Sequence, residues 1–179
     1  GQLKQGDLAN VVTKLLAANG FGSEVLELEL TERAMFMDYD SRRSDGERDM
    51  IAELRSAGIR VSIDDFGTGY SSLSYLKQWR VDKLKMDRSF VRDVVSDTDS
   101  FTIVSAILAI ARQMRIDVVA EGIESYQQVQ KLQPLGCRFG QGFLFARPCA
   151  AEDCTQMLLS SAAKPDENDT DMVPNLIND

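Results

Sequence analysis

Apolar residues along this chain switch repeatedly between helical and strand spacing. Leu8, Val11, Val12, Leu15 and Leu16 fall on one helical stripe, with Asp7 as its N-cap and Gly20 just past its end. Val25–Leu30 then alternates strictly, placing Leu26, Leu28 and Leu30 on one face and Glu27 and Glu29 on the other. Asp38–Glu47 is polar and reads as an exposed loop. A short helix through Met50, Ile51 and Leu54 follows and stops at Gly58.

The rest is organised around Val61–Tyr70. The β-branched Val61 and Ile63 run into the adjacent carboxylates Asp64 and Asp65, and a loop, Phe66-Gly67-Thr68-Gly69, comes next. Ser71 and Ser72 open a helix with Leu73, Leu76 and Trp79, and Val81–Met86 is a third strand ending in Asp87. A long helix runs through Ile103, Val104, Ile107, Leu108 and Ala111, with Arg112 and Arg115 near its negative end. Asp117–Ala120 is a fourth strand, ending in Glu121-Gly122. Ser125 caps a helix through Val129 and Leu132 to Gly136, and a fifth strand around Arg138–Phe139 leads into Gln141-Gly142. The tail from Ala162, rich in Asp and Asn, is expected to be disordered.

Strands alternating with helices predict an α/β fold with a parallel sheet at barrel-like spacing. A closed (β/α)₈ barrel needs eight units and roughly 250 residues, and about five units are legible here.

A length of 179 residues suits one domain, and 44% hydrophobic with 27% charged residues marks a globular chain. No apolar run reaches the roughly 20 residues of a membrane helix, so no membrane contact by this chain is expected. The start, Gly1-Gln2 without Met, reads as a cut or tag-derived end. A net charge of −8 argues against a nucleic-acid polymer as partner, and an anionic substrate would need metal ions or well-placed Lys and Arg. Cys137, Cys149 and Cys154 form no C-x-x-C pair, which fits reduced thiols in a cytoplasmic protein. The count of 0 His excludes a Ser-His-Asp triad within the chain. Hydrolysis would have to run on carboxylates, Lys, water and metal.

Barrel strands converge at their C-terminal ends, where active sites are built. The predicted strands put Glu29, Asp64, Asp65, Lys85, Asp87, Glu121 and Gln141 there. Burying carboxylates costs several kcal/mol each unless they are paired or coordinated. Two readings follow. One is a structural network of ion pairs and helix caps. The other is a hard-cation site, for which oxygen ligands without His or Cys point to Mg²⁺ or Mn²⁺. A divalent pair bridged by Asp64 would polarise a phosphate and activate water. An enolase-like site with a lysine base is a third chemistry open to these residues. Gly67-Thr68-Gly69 lacks the rest of a nucleotide fingerprint and reads as the loop that positions Asp64 and Asp65.

Five stretches closely resemble the EAL-domain phosphodiesterases of cyclic di-GMP. They are Glu29-Leu-Thr-Glu32, Asp64 through Leu73, Val81 through Phe90, Ala120-Glu-Gly-Ile-Glu124 and Gly140-Gln-Gly142, spread over about residues 7–148. The resemblance implies a modified eight-stranded barrel and two-metal opening of the cyclic dinucleotide to linear pGpG. It implies Glu29, Asp64 and Asp65 as metal ligands, Lys85 orienting the nucleophilic water, and Asp87 and Glu121 completing the metal and water shell. Gln141 would line the substrate site, and Glu32 and Glu124 would hold the loop Phe66–Gly69.

Two departures stand beside the match. The segment between Glu32 and Asp64 is a few residues longer than usual. The Glu-Ala-Leu signature and the metal-binding Asn after it belong upstream of Gly1, since Glu24-Val-Leu26 directly precedes the strand bearing Glu29. The expected organisation is a partial EAL-type barrel over residues 1–161 and an acidic tail over 162–179. The chain alone is expected to be inactive, within a parent enzyme that carries other signalling domains. The alternative is a non-catalytic module that binds cyclic di-GMP or a partner. Open strand edges also make a homodimer an expected partner state.

Overall fold

The computed structural model describes residues 8–32, 44–69, 76–77 and 79–162. Five parallel strands form one sheet in chain order: β1 (Glu27–Thr31), β2 (Arg60–Phe66), β3 (Lys83–Met86), β4 (Asp117–Glu121) and β5 (Phe139–Gln141). The helices are α1 (Leu8–Ala18), α2 (Ser44–Ser56), α3 (Arg88–Asp93), α4 (Thr98–Met114), α5 (Tyr126–Leu132) and α6 (Ala151–Ala162). Sequential parallel neighbours joined by helices are the arrangement of a barrel wall. Among the described residues the wall is open at β1 and at β5.

Register assigns the two faces of this wall. Leu28 pairs with Val61 and Leu30 with Ile63, and both columns point toward the helices. There Val61, Ile63, Leu84, Met86, Val118 and Ala120 are buried in one cluster with Ile51 and Leu54 of α2 and Val104 and Leu108 of α4. Each large side chain in that cluster contributes on the order of 1.5–3 kcal/mol. The opposite parity (Glu27, Glu29, Ser62, Asp64, Lys83, Lys85, Glu121) faces the barrel interior. Glu27 and Lys83 meet there at 2.8 Å, one layer below the strand tips.

Local chemistry sets the helix ends. Asp97 accepts from the backbone of Asp99 and Ser100 to start α4, and Arg115 ends it in a left-handed conformation. Ser125 and Gln128 form a capping box at the start of α5.

Several boundaries differ from the sequence reading. The first strand begins at Glu27 rather than Val25, because Ser23–Val25 forms a 3₁₀ turn and Val25 stays exposed. Helix α2 begins at Ser44, inside the expected loop Asp38–Glu47, since its polar first turn carries no apolar residue to mark it. The third strand is regular only from Lys83, although the Asp82 backbone still donates to the Val61 carbonyl at 2.9 Å and accepts from the Asp117 N–H at 3.2 Å while its side chain binds Arg55 and the Val61 N–H. The α1 stripe exists but is half covered. Leu8 and Val12 pack on the core, while Val11 and Leu15 are exposed. Asp7, Tyr70–Tyr75 and the tail beyond Ala162 lie outside the described residues. No helix among the described residues is long and apolar enough to cross a membrane.

Candidate active site

Strand β2 ends in an irregularity that brings two neighbouring acids together. Its register with β3 shifts between Ile63 and Phe66, and Asp65 adopts φ 54°, the left-handed region. Consecutive strand residues ordinarily face opposite ways, and a left-handed residue beside a bulge re-aims its side chain. Asp tolerates this conformation better than most residues. As a result, one oxygen each from Asp64, Asp65 and Glu121 lie within 4.8 Å of one another.

Lys85 sits among these acids. Its ammonium is 2.8 Å from Glu29 Oε2, 3.1 Å from Asp64 Oδ1 and 3.0 Å from Glu121 Oε1. Burial alone would lower the lysine pKa, but its hydrogen bonds to Glu29, Glu121 and Asp64 outweigh it and drive the pKa well above the usual value. Desolvation raises the Glu121 pKa, and Lys85 only partly offsets that. Asp65 is also raised, by partial desolvation first and then by the charges of Asp64 and Asp87.

The other predicted residues take different places. Glu29 stands at the rim with its side chain half exposed, and joins the cluster through Lys85 rather than through the three convergent acids. Asp87 is the N-cap of α3, accepting from the Ser89 N–H at 2.9 Å. Gln141 is exposed on β5 in register with Glu121, on the same face. Glu32 is buried, and its Oε2 accepts the Gly67 N–H at 2.9 Å. Phe66 anchors that loop in the core, and Thr68 Oγ1 donates to the Asp65 carbonyl at 2.9 Å. At Gly69 an added Cβ would lie 2.9 Å from Glu32 Oε1, so the loop rides directly over this carboxylate. Glu124 is exposed, and among the described residues its carboxylate makes no hydrogen bond to Phe66–Gly69. Its backbone N–H donates to Gln128 Oε1 at 2.8 Å.

Gln128 escaped the sequence reading. It is buried, completes the α5 cap, and donates to the Val91 carbonyl at 3.1 Å, tying α5 to α3 beneath Asp87. The only signal for it was the Ser-x-x-Gln spacing of a capping box.

Comparison with known proteins fits this geometry. The EAL domain family model matches residues 1–148. Cyclic di-GMP phosphodiesterase NbdA of Pseudomonas aeruginosa is 39% identical over 166 residues, covering 91% of this chain and 21% of NbdA. The solved MucR phosphodiesterase of the same species, in complex with c-di-GMP, matches with a TM-score of 0.77 at 39% identity, covering 86% of this chain and 60% of that one. A manganese and cyclic di-GMP complex of Klebsiella pneumoniae BlrP1 matches with a TM-score of 0.74 at 36% identity, over 82% of this chain and 36% of that one. The chain spans about a fifth to a quarter of the length of the curated relatives it matches. The five-stranded wall is thus part of the barrel these structures share, and the chain belongs to the EAL domain family.

Proposed function

We propose that this chain supplies part of a divalent-metal-dependent site that hydrolyses cyclic di-GMP to linear pGpG. The observation that carries the reading is the convergence of Asp64, Asp65 and Glu121 around the Lys85 ammonium. The donor set fits a hard cation. It consists of carboxylate oxygens, and Asp65 turns toward Asp64 although like charges repel. Glu29, Asp64 and Asp65 would hold Mg²⁺ or Mn²⁺, with Asp87 and Glu121 completing the shell. Such ions, when bound, polarise the phosphate and lower the pKa of an attacking water.

The chain's own residues do the rest. Lys85, held among Glu29, Asp64 and Glu121, would release one of these carboxylates so that the freed N–H donates to the attacking water and orients it. Glu121, whose pKa burial raises, takes the water proton. The water oxygen bonds to phosphorus, the P–O3′ bond breaks, and the proton ends on the leaving 3′ oxygen. Gln141 hydrogen-bonds the dinucleotide from the last strand. Glu32, through Gly67, positions the loop that carries Asp65.

The 179-residue chain alone is proposed not to turn over, because among the described residues the sheet is open at β1 and β5. A homodimer through the open edges, additional signalling domains in the parent and a cytoplasmic setting belong to the same proposal, as does a partial barrel domain over residues 1–161. One observation favours a second reading, a module that binds cyclic di-GMP without cleaving it. Lys85 already neutralises acids that a cation would otherwise neutralise.

The test is chromatographic detection of pGpG with Mg²⁺ or Mn²⁺, using this chain and a longer polypeptide extended upstream. Turnover only by the longer one, abolished by Asp64→Ala, is expected. Comparable turnover by both contradicts the inactivity of the short chain. An active Asp64→Ala contradicts the site.

A further inference from the structure

At the end of the sheet opposite the acids, a cleft of about 710 Å³ opens between the C-terminal end of α2 and the segment leading into β3. Its lining reverses the charge of the chain. Among the described residues, Arg55, Arg60, Lys77 and Arg80 border it with a single acid, Asp82, in a protein whose net charge is −8. Asp82 is already committed. It takes Arg55 Nη2 at 2.7 Å and Nε at 3.1 Å, and it accepts the Val61 N–H at 2.9 Å.

That leaves Arg60, Lys77 and Arg80 with no ion-pair partner among the described residues. Arg60 Nε is buried and has no acceptor among the described residues, and a buried donor favours an oxygen partner. Its Nη2 makes only a long contact, 3.4 Å, to the Glu24 carbonyl. Arg80 is held at φ 47°, a conformation uncommon for a residue with a Cβ. Three unneutralised cations around a concave surface raise the local concentration of anions, and the acidic remainder of the protein confines that attraction to this cleft. Guanidinium groups present fork-shaped donors that match phosphate oxygens. The volume lies within the range of small-molecule sites.

The geometry points to a second ligand site here, for a small phosphate-bearing anion such as a pyrophosphate or nucleoside diphosphate group. It is separate from the acid-lined site and independent of its chemistry. Arg60 and Arg80 would grip the phosphate oxygens, with Lys77 adding charge at the mouth. Arg55 would stay on Asp82 as the rigid wall.

Trp79, the chain's 1 tryptophan, borders the same cleft, so its emission is a probe close to this site. The experiment titrates the full 179-residue chain with pyrophosphate, and separately with ADP, in EDTA while following tryptophan fluorescence. EDTA removes divalent ions, so the anion has no metal-bridged route to Asp64 and Asp65. Failure here is thereby separable from failure of the hydrolytic reading. A saturable change is expected, weakened at least tenfold by Arg60→Gln and by Arg80→Gln. Lys131→Gln, on α5, should change the affinity less than twofold. Arg80 is exposed, so its variant keeps the test open should Arg60→Gln fold poorly by circular dichroism. An equal response to KCl at matched ionic strength would overturn the assignment, as would unchanged affinity in Arg80→Gln.

Discussion

Lys85 Nζ lies 3.0 Å from Glu121 Oε1, yet the pair does not settle into an ordinary mutual neutralisation. The ammonium is shared with Glu29 and Asp64, so its pKa rises while Glu121, more desolvated than compensated, is raised as well. One cation spread over three carboxylates leaves a net negative site.

Removing that cation should therefore expose the repulsion. Lys85→Met is expected to lower the stability of the metal-free chain by about 3 kcal/mol, in the range for breaking a buried pair. Mg²⁺ should restore part of the loss, and restore more than it adds to wild type. Urea unfolding with and without Mg²⁺ measures both, and a variant as stable as wild type without metal contradicts the assigned role.

Glu32→Ala should act at a distance. It leaves the Gly67 N–H without its acceptor, at a cost of about 1–3 kcal/mol. Amide exchange at Gly67 should accelerate, and turnover by the longer enzyme should fall through the misplacement of Asp65. Glu32→Gln keeps an acceptor and should recover most of the stability. Unchanged exchange at Gly67 in the alanine variant would show that this contact does not order the loop.

Gly67→Ala meets two obstacles, a φ of 100° and a Cβ position 2.7 Å from Phe90 Cε2. The conformational part alone is on the order of 1 kcal/mol. The Phe90 part should vanish in a Gly67→Ala, Phe90→Ala background, so a double-mutant cycle should give a clear coupling energy. Strict additivity would mean that the ring does not confine this turn.

Much of this fold could be read from alternation. Leu26, Leu28 and Leu30 against Glu27 and Glu29 defined a strand with one polar face, and the acids and lysine at the strand ends defined a site. What could not be read depends on neighbours distant in sequence. The Asp82 side chain is taken up by Arg55, and nothing local to Val81–Met86 says so. The left-handed turn of Asp65 arises from the bulge against β3. Helix α6, which the sequence reading left unassigned, carries Met157, Leu158 and Leu159 exposed. Glu29 reads as an equal member of the acid cluster, but the reach of Lys85 holds it at the rim.

Cys137 supplies a pH signature. Burial pushes its thiol up to about 11, so the folded state favours the protonated form. A raised pKa contributes stability below the unfolded value, near 9. That contribution fades as pH climbs toward the folded value, and in full it amounts to about 2–3 kcal/mol. Denaturant unfolding should show wild type losing more stability than Cys137→Ala between about pH 9 and 11. Cys149 and Cys154, both exposed, should react with iodoacetamide long before Cys137 does. Parallel pH profiles for wild type and Cys137→Ala would contradict the burial argument.

The most direct test of the central claim is calorimetric titration of Mn²⁺ into the folded chain, wild type against Asp64→Asn/Asp65→Asn. If these carboxylates and Glu121 form a cation site around Lys85, wild type binds saturably and the double variant loses at least tenfold in affinity. Its fold should remain intact, since neither side chain belongs to the helix-facing core. Equal affinity in the two proteins would show that the acids at the strand tips are an ion-pair network and nothing more.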